Sequence, residues 1–237
     1  MPFDCAVRTH VGCRRRINED AVLSRPELGV WAVADGMGGH DAGEVASALV
    51  VESLAKLGPG LALAERAAAA GRALAGVNKL LIAMASEGSG GRTIGSTVVA
   101  LLAGEQAFVC LWAGDSRIYR ARGGELQQLT RDHSLVQELV DLGEIAPADA
   151  EGHPNANVIT RAVGVDATLD LDTVEGDVRS GDVFLLASDG LTRLVSDAEL
   201  LAGLQGDMLE ETADSFLATC LERGAPDNVS LVILRAP

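Results

Sequence analysis

Val30-Trp31-Ala32-Val33-Ala34-Asp35-Gly36-Met37-Gly38-Gly39-His40 is an apolar run stopped by an aspartate and followed by a glycine-rich turn. The run itself, bounded by turn signals, reads as a strand over 29–34. An acidic side chain at the mouth of such a strand is costly to hold unless a cation pairs with it or a metal binds it. Three more aspartates lie in similar settings: Asp20 after Asn18-Glu19, Asp189 after Leu185-Leu186-Ala187-Ser188, and Asp227 before Asn228. The repetition points to a site for more than one metal ion.

Outward from that run, further strands are expected near 4–9, 20–24, 94–103, 106–113, 116–121, 169–174, 182–187 and 229–235. The 106–113 run is nearly continuous in apolar residues, which fits a strand covered on both faces. One helix should follow Gly43, with Ala46, Leu49, Val50, Ser53, Leu54 and Leu57 on its stripe. A second, alanine-rich helix is expected over 62–86, facing inward with Leu74, Val77, Leu81 and Met84. Two more fall at about 197–205 and 207–222. Helices grouped in pairs between runs of strands argue for an α+β fold, a four-layer α-β-β-α sandwich of two antiparallel sheets flanked by helix pairs. With no linker and no repeat, residues 1–237 read as one domain. The stretch 130–168 breaks periodicity and has the character of a lid or binding loop.

Composition narrows the function. The chain has 237 residues, 48% of them hydrophobic, and no bare apolar stretch of membrane-spanning length is apparent. Its 19 basic and 34 acidic residues leave a net charge of −15, which opposes binding to nucleic acid or an anionic membrane. Cys5, Cys13, Cys110 and Cys220 are scattered, as reduced thiols of a cytosolic protein would be, and no signal peptide is evident at the N-terminus.

Other chemistries fail at identifiable positions. A dinucleotide fingerprint beginning at Gly36 needs glycine where Asp41 stands, and a phosphate loop beginning at Gly38 has Glu44 where lysine is required. No Gly-x-Ser-x-Gly elbow surrounds Ser116 or Ser188. His10, His40, His133 and His153 have no zinc-type spacing. Oxygen-only ligation remains, which suits magnesium or manganese.

Eight ordered segments then carry a family resemblance. They are Gly12 to Asp20, Asp35 to His40 with Gly43-Glu44, Gly95-Ser96-Thr97, and Gly114-Asp115-Ser116-Arg117. Leu129 to Ser134, His153-Pro154 leading to Ile159 through Gly164, Ser188 to Leu191, and Asp227 to Ser230 complete the set. The chain resembles the metal-dependent serine/threonine protein phosphatases of type 2C, the PPM family, in their compact bacterial form.

That resemblance implies two manganese or magnesium ions. Asp35 would bridge them, with the Gly36 carbonyl on one and Asp189 and Asp227 on the other, while Glu19 and Asp20 hold metal-bound waters. Carboxylates at ~4 Å repel by roughly 4 kcal/mol at an effective dielectric near 20, and divalent ions turn that repulsion into ligation. It further implies hydrolysis of phosphoserine and phosphothreonine on proteins by direct attack of a metal-bridging hydroxide. Arg15 would grip the substrate phosphate. Asp115 corresponds to a position that, with Asp189, holds a third, weaker ion in bacterial relatives; the plainer reading is a turn residue paired with Arg117. Met37 stands where animal members place a histidine, so the resemblance gives His40 the role of general acid or phosphate-orienting group, with a metal-bound water as the other proton donor. His133 and His153 flank the family's flap in structural roles. The expected partners are phosphoproteins and a bacterial serine/threonine kinase, met by a monomer; Arg8 to Gly12 resembles phosphatases linked to secretion-system kinases. A catalytically inactive phosphopeptide-binding module and a small-molecule phosphoesterase are the rival readings.

Overall fold

The computed structural model describes residues 3–38, 42–87 and 93–237. Val30 to Ala34 are fully buried in it, because their strand is covered on both faces. The first sheet holds, in spatial order, β1 (Asp4–His10), β11 (Val229–Arg235), β10 (Val183–Ala187), β7 (Arg117–Arg122) and β8 (Glu125–Gln128). The second holds β2 (Asp20–Arg25), β3 (Val30–Gly38), β5 (Val98–Ala103), β6 (Ala107–Ala113) and β9 (Asp172–Asp177), with β4 (Ile94–Ser96) paired to the end of β3. All these pairings are antiparallel.

Alternation along β3 explains its double burial. Trp31 and Val33 join Leu101, Phe108, Phe184, Leu186 and Val232 between the two sheets. Val30, Ala32 and Ala34 point the other way, toward Val50 and Leu54 of α1 (Ala42–Ala55) and Leu74 and Leu81 of α2 (Leu63–Glu87). On the far side, α4 (Asp189–Thr192), α5 (Asp197–Leu204) and α6 (Leu209–Glu222) cover the first sheet, with Leu200, Phe216 and Cys220 against Leu185, Leu231 and Ile233. Each valine, leucine, isoleucine or phenylalanine among them contributes about 1.5–3 kcal/mol by leaving water. The result is the expected four-layer sandwich.

Several elements differ from expectation, each for a local reason. The single strand expected over 94–103 breaks at Thr97, whose N–H and hydroxyl both turn to Asp35. β8 was not expected, since Glu125-Leu126-Gln127-Gln128 is largely polar; Gly123 and Gly124, at φ 59° and 85°, fold it back onto β7. β9 begins three residues later than its expected start at 169. The irregular 130–168 stretch contains α3 (Leu135–Asp141), capped by Ser134, and a short 3-10 turn at Pro147–Asp149. Backbone bonds from Leu135 to Val158 and from Thr160 to His133 close its base. By length and composition α2 could cross a membrane, contrary to the sequence reading, yet here it lies on the second sheet.

Antiparallel pairing brings one set of strand ends together. Asp20 opens β2 directly opposite Asp35, Asp115 follows β6, Asp189 follows β10, and Asp227 precedes β11.

Candidate metal centre

The Asp35 backbone is held from three sides. Its N–H donates to Thr97 Oγ1 at 3.0 Å, while its carbonyl accepts from the Thr97 N–H at 2.8 Å and from Ser96 Oγ at 3.1 Å. Thr97 Oγ1 in turn lies 2.8 Å from Ser116 Oγ, so Ser116 supports the strand end. Gly36 donates its N–H to the Glu19 carbonyl at 3.0 Å. Any Cβ on Gly36 would overlap the Gly43 carbonyl at the start of α1, so this glycine serves close approach of two backbones. Gly190 does the same on the opposite wall, where a Cβ would run into the Asn228 carbonyl. Asp189 and the 227–228 turn are thereby drawn into contact.

Asn228 is the organising residue that sequence reasoning left without a role. It is buried, and its Oδ1 accepts from the Glu19 N–H at 2.8 Å. Its Nδ2 donates to the carbonyls of Val11 (2.9 Å) and Ile17 (3.0 Å). One amide therefore fixes the whole 11–19 loop, which carries Arg15 and Glu19. Arg15 is exposed at the lip, with Nη2 2.8 Å from Asp227 Oδ2; Arg14 and Arg16 are exposed beside it. Ser188 Oγ donates to Asp20 Oδ2 at 2.9 Å and accepts from the Ser230 N–H at 3.0 Å, a support rather than a nucleophile.

The acids are under-compensated. Burial, then repulsion from Asp20, Asp189, Asp115 and Asp227, holds the Asp35 carboxyl well above the usual range. Asp20 is pushed up to about 7 by burial, against the hydroxyls of Ser230 and Ser188, which pull it down. Asp115 is pushed up to about 7 by burial and by the charges of Asp189 and Asp132. Asp189 is raised by burial, with Arg193 opposing. Asp20 Oδ1, Asp115 Oδ1 and Asp189 Oδ1 are buried without a hydrogen-bond partner. Such atoms are rare in folded proteins, and a hard cation is the group that satisfies several at once.

Among the described residues, no three acidic, histidine or cysteine side chains already form a closed ion cage. Bare carboxylates repel, and here each leans on a local donor: Asp227 on Arg15, Asp189 on Arg193, Asp20 on Ser188. The unpartnered oxygens and the all-oxygen donor set still fit divalent ions. Asp115 departs from the turn pairing considered for it. Arg117 grips Asp132 through Nε and Nη2 at 2.9 and 2.7 Å, and Asp115 faces Arg193 at 3.5 Å instead. His133 and His153 accept from the N–H groups of Gly114 and Asn155, matching the structural roles expected of them. His40 lies outside the described residues.

The protein phosphatase 2C profile matches residues 14–230. PstP, a serine/threonine protein phosphatase of Mycobacterium tuberculosis, is 40% identical over 96% of this chain, which spans only 44% of PstP's length. The catalytic domain of PstP, solved in complex with two manganese ions, is 38% identical, covers 99% of this chain and 98% of its own, and superposes with a TM-score of 0.86. The serine/threonine phosphatase stp of Listeria monocytogenes is 36% identical, covering 96% of this chain and 93% of stp. PppA, described as a key regulatory component of T6SS in Pseudomonas aeruginosa, is 43% identical with a TM-score of 0.92, covering 100% of this chain and 99% of its own. From its 14–230 profile match and these relatives, the chain belongs to the protein phosphatase 2C family.

Proposed function

We propose that this chain is a manganese- or magnesium-dependent phosphatase that removes phosphate from serine and threonine side chains of proteins. The observation that carries this reading is the group of buried, unpartnered aspartate oxygens at one end of the sandwich, with the Arg15 fork at its lip. Asp35, the Gly36 carbonyl, Asp189 and Asp227 would hold two ions, with Glu19 and Asp20 ordering water around them. When bound, such ions lower the pKa of water and neutralise charge on phosphoryl oxygens.

The protein's own groups do the remaining work. Arg15 sits on the 11–19 loop fixed by Asn228, so its planar fork is presented at a constant place for two phosphate oxygens. As water oxygen joins phosphorus, the bond to the serine or threonine oxygen breaks and that oxygen takes up a proton. His40 or solvent is our candidate donor. The 130–168 flap, joined to α2 through Asn78, which donates to the Asp166 carbonyl and accepts from the Gly164 N–H, borders the substrate entrance.

Residues 1–237 are read as one catalytic unit, a monomer acting in the cytosol against a bacterial serine/threonine kinase. The free thiols Cys5, Cys13, Cys110 and Cys220 fit a reducing compartment. The likeness to PppA across nearly all of both chains supports a place in secretion-system signalling. Release of phosphate from a phosphothreonine peptide, with and without Mn2+, tests the reaction. The expected outcome is metal-dependent turnover that falls by more than about a hundredfold in Asp35→Asn, since even outer-shell metal residues are worth about 10–100-fold. Arg15→Ala should mainly raise KM. Metal-independent turnover, or full activity in Asp35→Asn, would refute the reading.

A further inference from the structure

Arg193 ends the short helix α4, one turn after Asp189. Its Nη2 lies 2.9 Å from Asp189 Oδ2 and 3.5 Å from Asp115 Oδ2. The same group donates to the Ala156 carbonyl at 3.3 Å, and Nη1 donates to Asn157 Oδ1. One guanidinium thus joins the buried Asp115 and half-buried Asp189 carboxylates to the flap. Cavities of about 240 and 230 Å³ flank it, and Asp189 and Arg193 line both. The Arg193 side chain is therefore part of the wall between the two spaces.

These contacts bear on the third ion that the family resemblance placed at Asp115 and Asp189. A guanidinium keeps its charge throughout the pH range of folded proteins. An ion shared by the same two carboxylates would sit beside that fixed charge and be repelled. Swinging Arg193 aside would also break its bonds to Ala156 and Asn157, neutral partners that hold it whatever the acids do.

We infer that Arg193 is a built-in cation at the Asp115–Asp189 pair, fastening flap residues 156–157 there, so that the chain holds two divalent ions and not three. The inference rests on the two-metal reading above and assigns Arg193 a positioning role. Its chemical consequence is that the charge at this pair is supplied by the fold and does not vary with metal concentration.

Calorimetric titration of Mn2+ into the metal-free protein, with bound ions counted by elemental analysis, is the direct test. Wild type, Arg193→Lys and Asp115→Asn should each bind two ions. Arg193→Ala should gain a third, weaker ion, which the added substitution Asp115→Asn removes. Hydrogen exchange over 153–160 should quicken at least tenfold in Arg193→Ala and be largely rescued in Arg193→Lys. A third ion in wild type that Asp115→Asn abolishes would overturn the inference, as would an unchanged ion count or unchanged exchange in Arg193→Ala. Should Arg193→Ala fail to fold, wild type against Asp115→Asn still decides. Absence of any Mn2+ binding by wild type would instead bring down the two-metal reading itself.

Discussion

Strand β10 has an aspartate at each end, one buried and one half-buried, and the two are treated in opposite ways. Asp182, just before the strand, is almost fully enclosed. Arg122 grips it with Nε and Nη2, both at 2.6 Å, and the Arg179 N–H adds a third bond at 2.8 Å. Asp189, just after the strand, has one oxygen on Arg193 and the other buried without a partner. The first arrangement is a closed account of charge and donors, which a protein uses to fix a corner. The second is incomplete, and incompleteness repeated over Asp20, Asp115 and Asp189 sets that end of the sandwich apart as the place for the proposed metal site.

The sharpest way to break this contrast is to neutralise each acid in turn. Asp189→Asn should cost more than about a hundredfold in metal-supported turnover. Its metal-free fold should be no less stable, because a repelling charge has gone. Asp182→Asn should do the reverse, costing about 1.5–3 kcal/mol in urea unfolding by removing the charged partner of Arg122, which keeps Asp177, with turnover per folded molecule unchanged. Equal effects of the two substitutions on turnover would erase the distinction.

A pH series probes the same difference without mutation. Asp20 and Asp115 keep their protons to about pH 7 in the folded, metal-free chain. An unfolded chain releases them near pH 4. The folded state therefore binds more protons between those values, and the stability these groups contribute is full below about pH 4 and lost as pH rises through 7. Mn2+ favours the ionised forms, so the rise in Tm that it produces should grow from pH 5.5 to pH 8. A Tm shift independent of pH would contradict this. The smallest expected effect lies at the other end of β10. Arg122→Lys keeps the charge but loses the fork, and should cost only about 1 kcal/mol.

Much of this was readable from residue order because strong local patterns agree with the fold. The five buried residues before Asp35, the two long helices with inward stripes and the four recurring aspartates each give their own signal. What escaped notice depends on weak or distant signals. Gly123-Gly124 is a hairpin turn, and Ser134 followed by Gln137 resembles a helix cap, but the polar strand and seven-residue helix beside them carry little periodicity. Arg193 shows only as a charge four residues after Asp189; its contacts with Asp115, Ala156 and Asn157 cross 78, 37 and 36 residues. The three bonds of Asn228 cross more than 200. Contacts of that span come from topology and leave no periodic trace.

The position of β11 between β1 and β10 also sets an order of events during synthesis. Until residues 227–235 have left the ribosome, β1 has no neighbour in its sheet, the 11–19 loop has no Asn228 to hold it, and Asp227 is missing from the acid cluster. A nascent chain therefore has every strand of its second sheet, with α1 and α2, before its acid cluster is complete. The acid cluster and the 11–19 loop are complete only once β11 lies between β1 and β10.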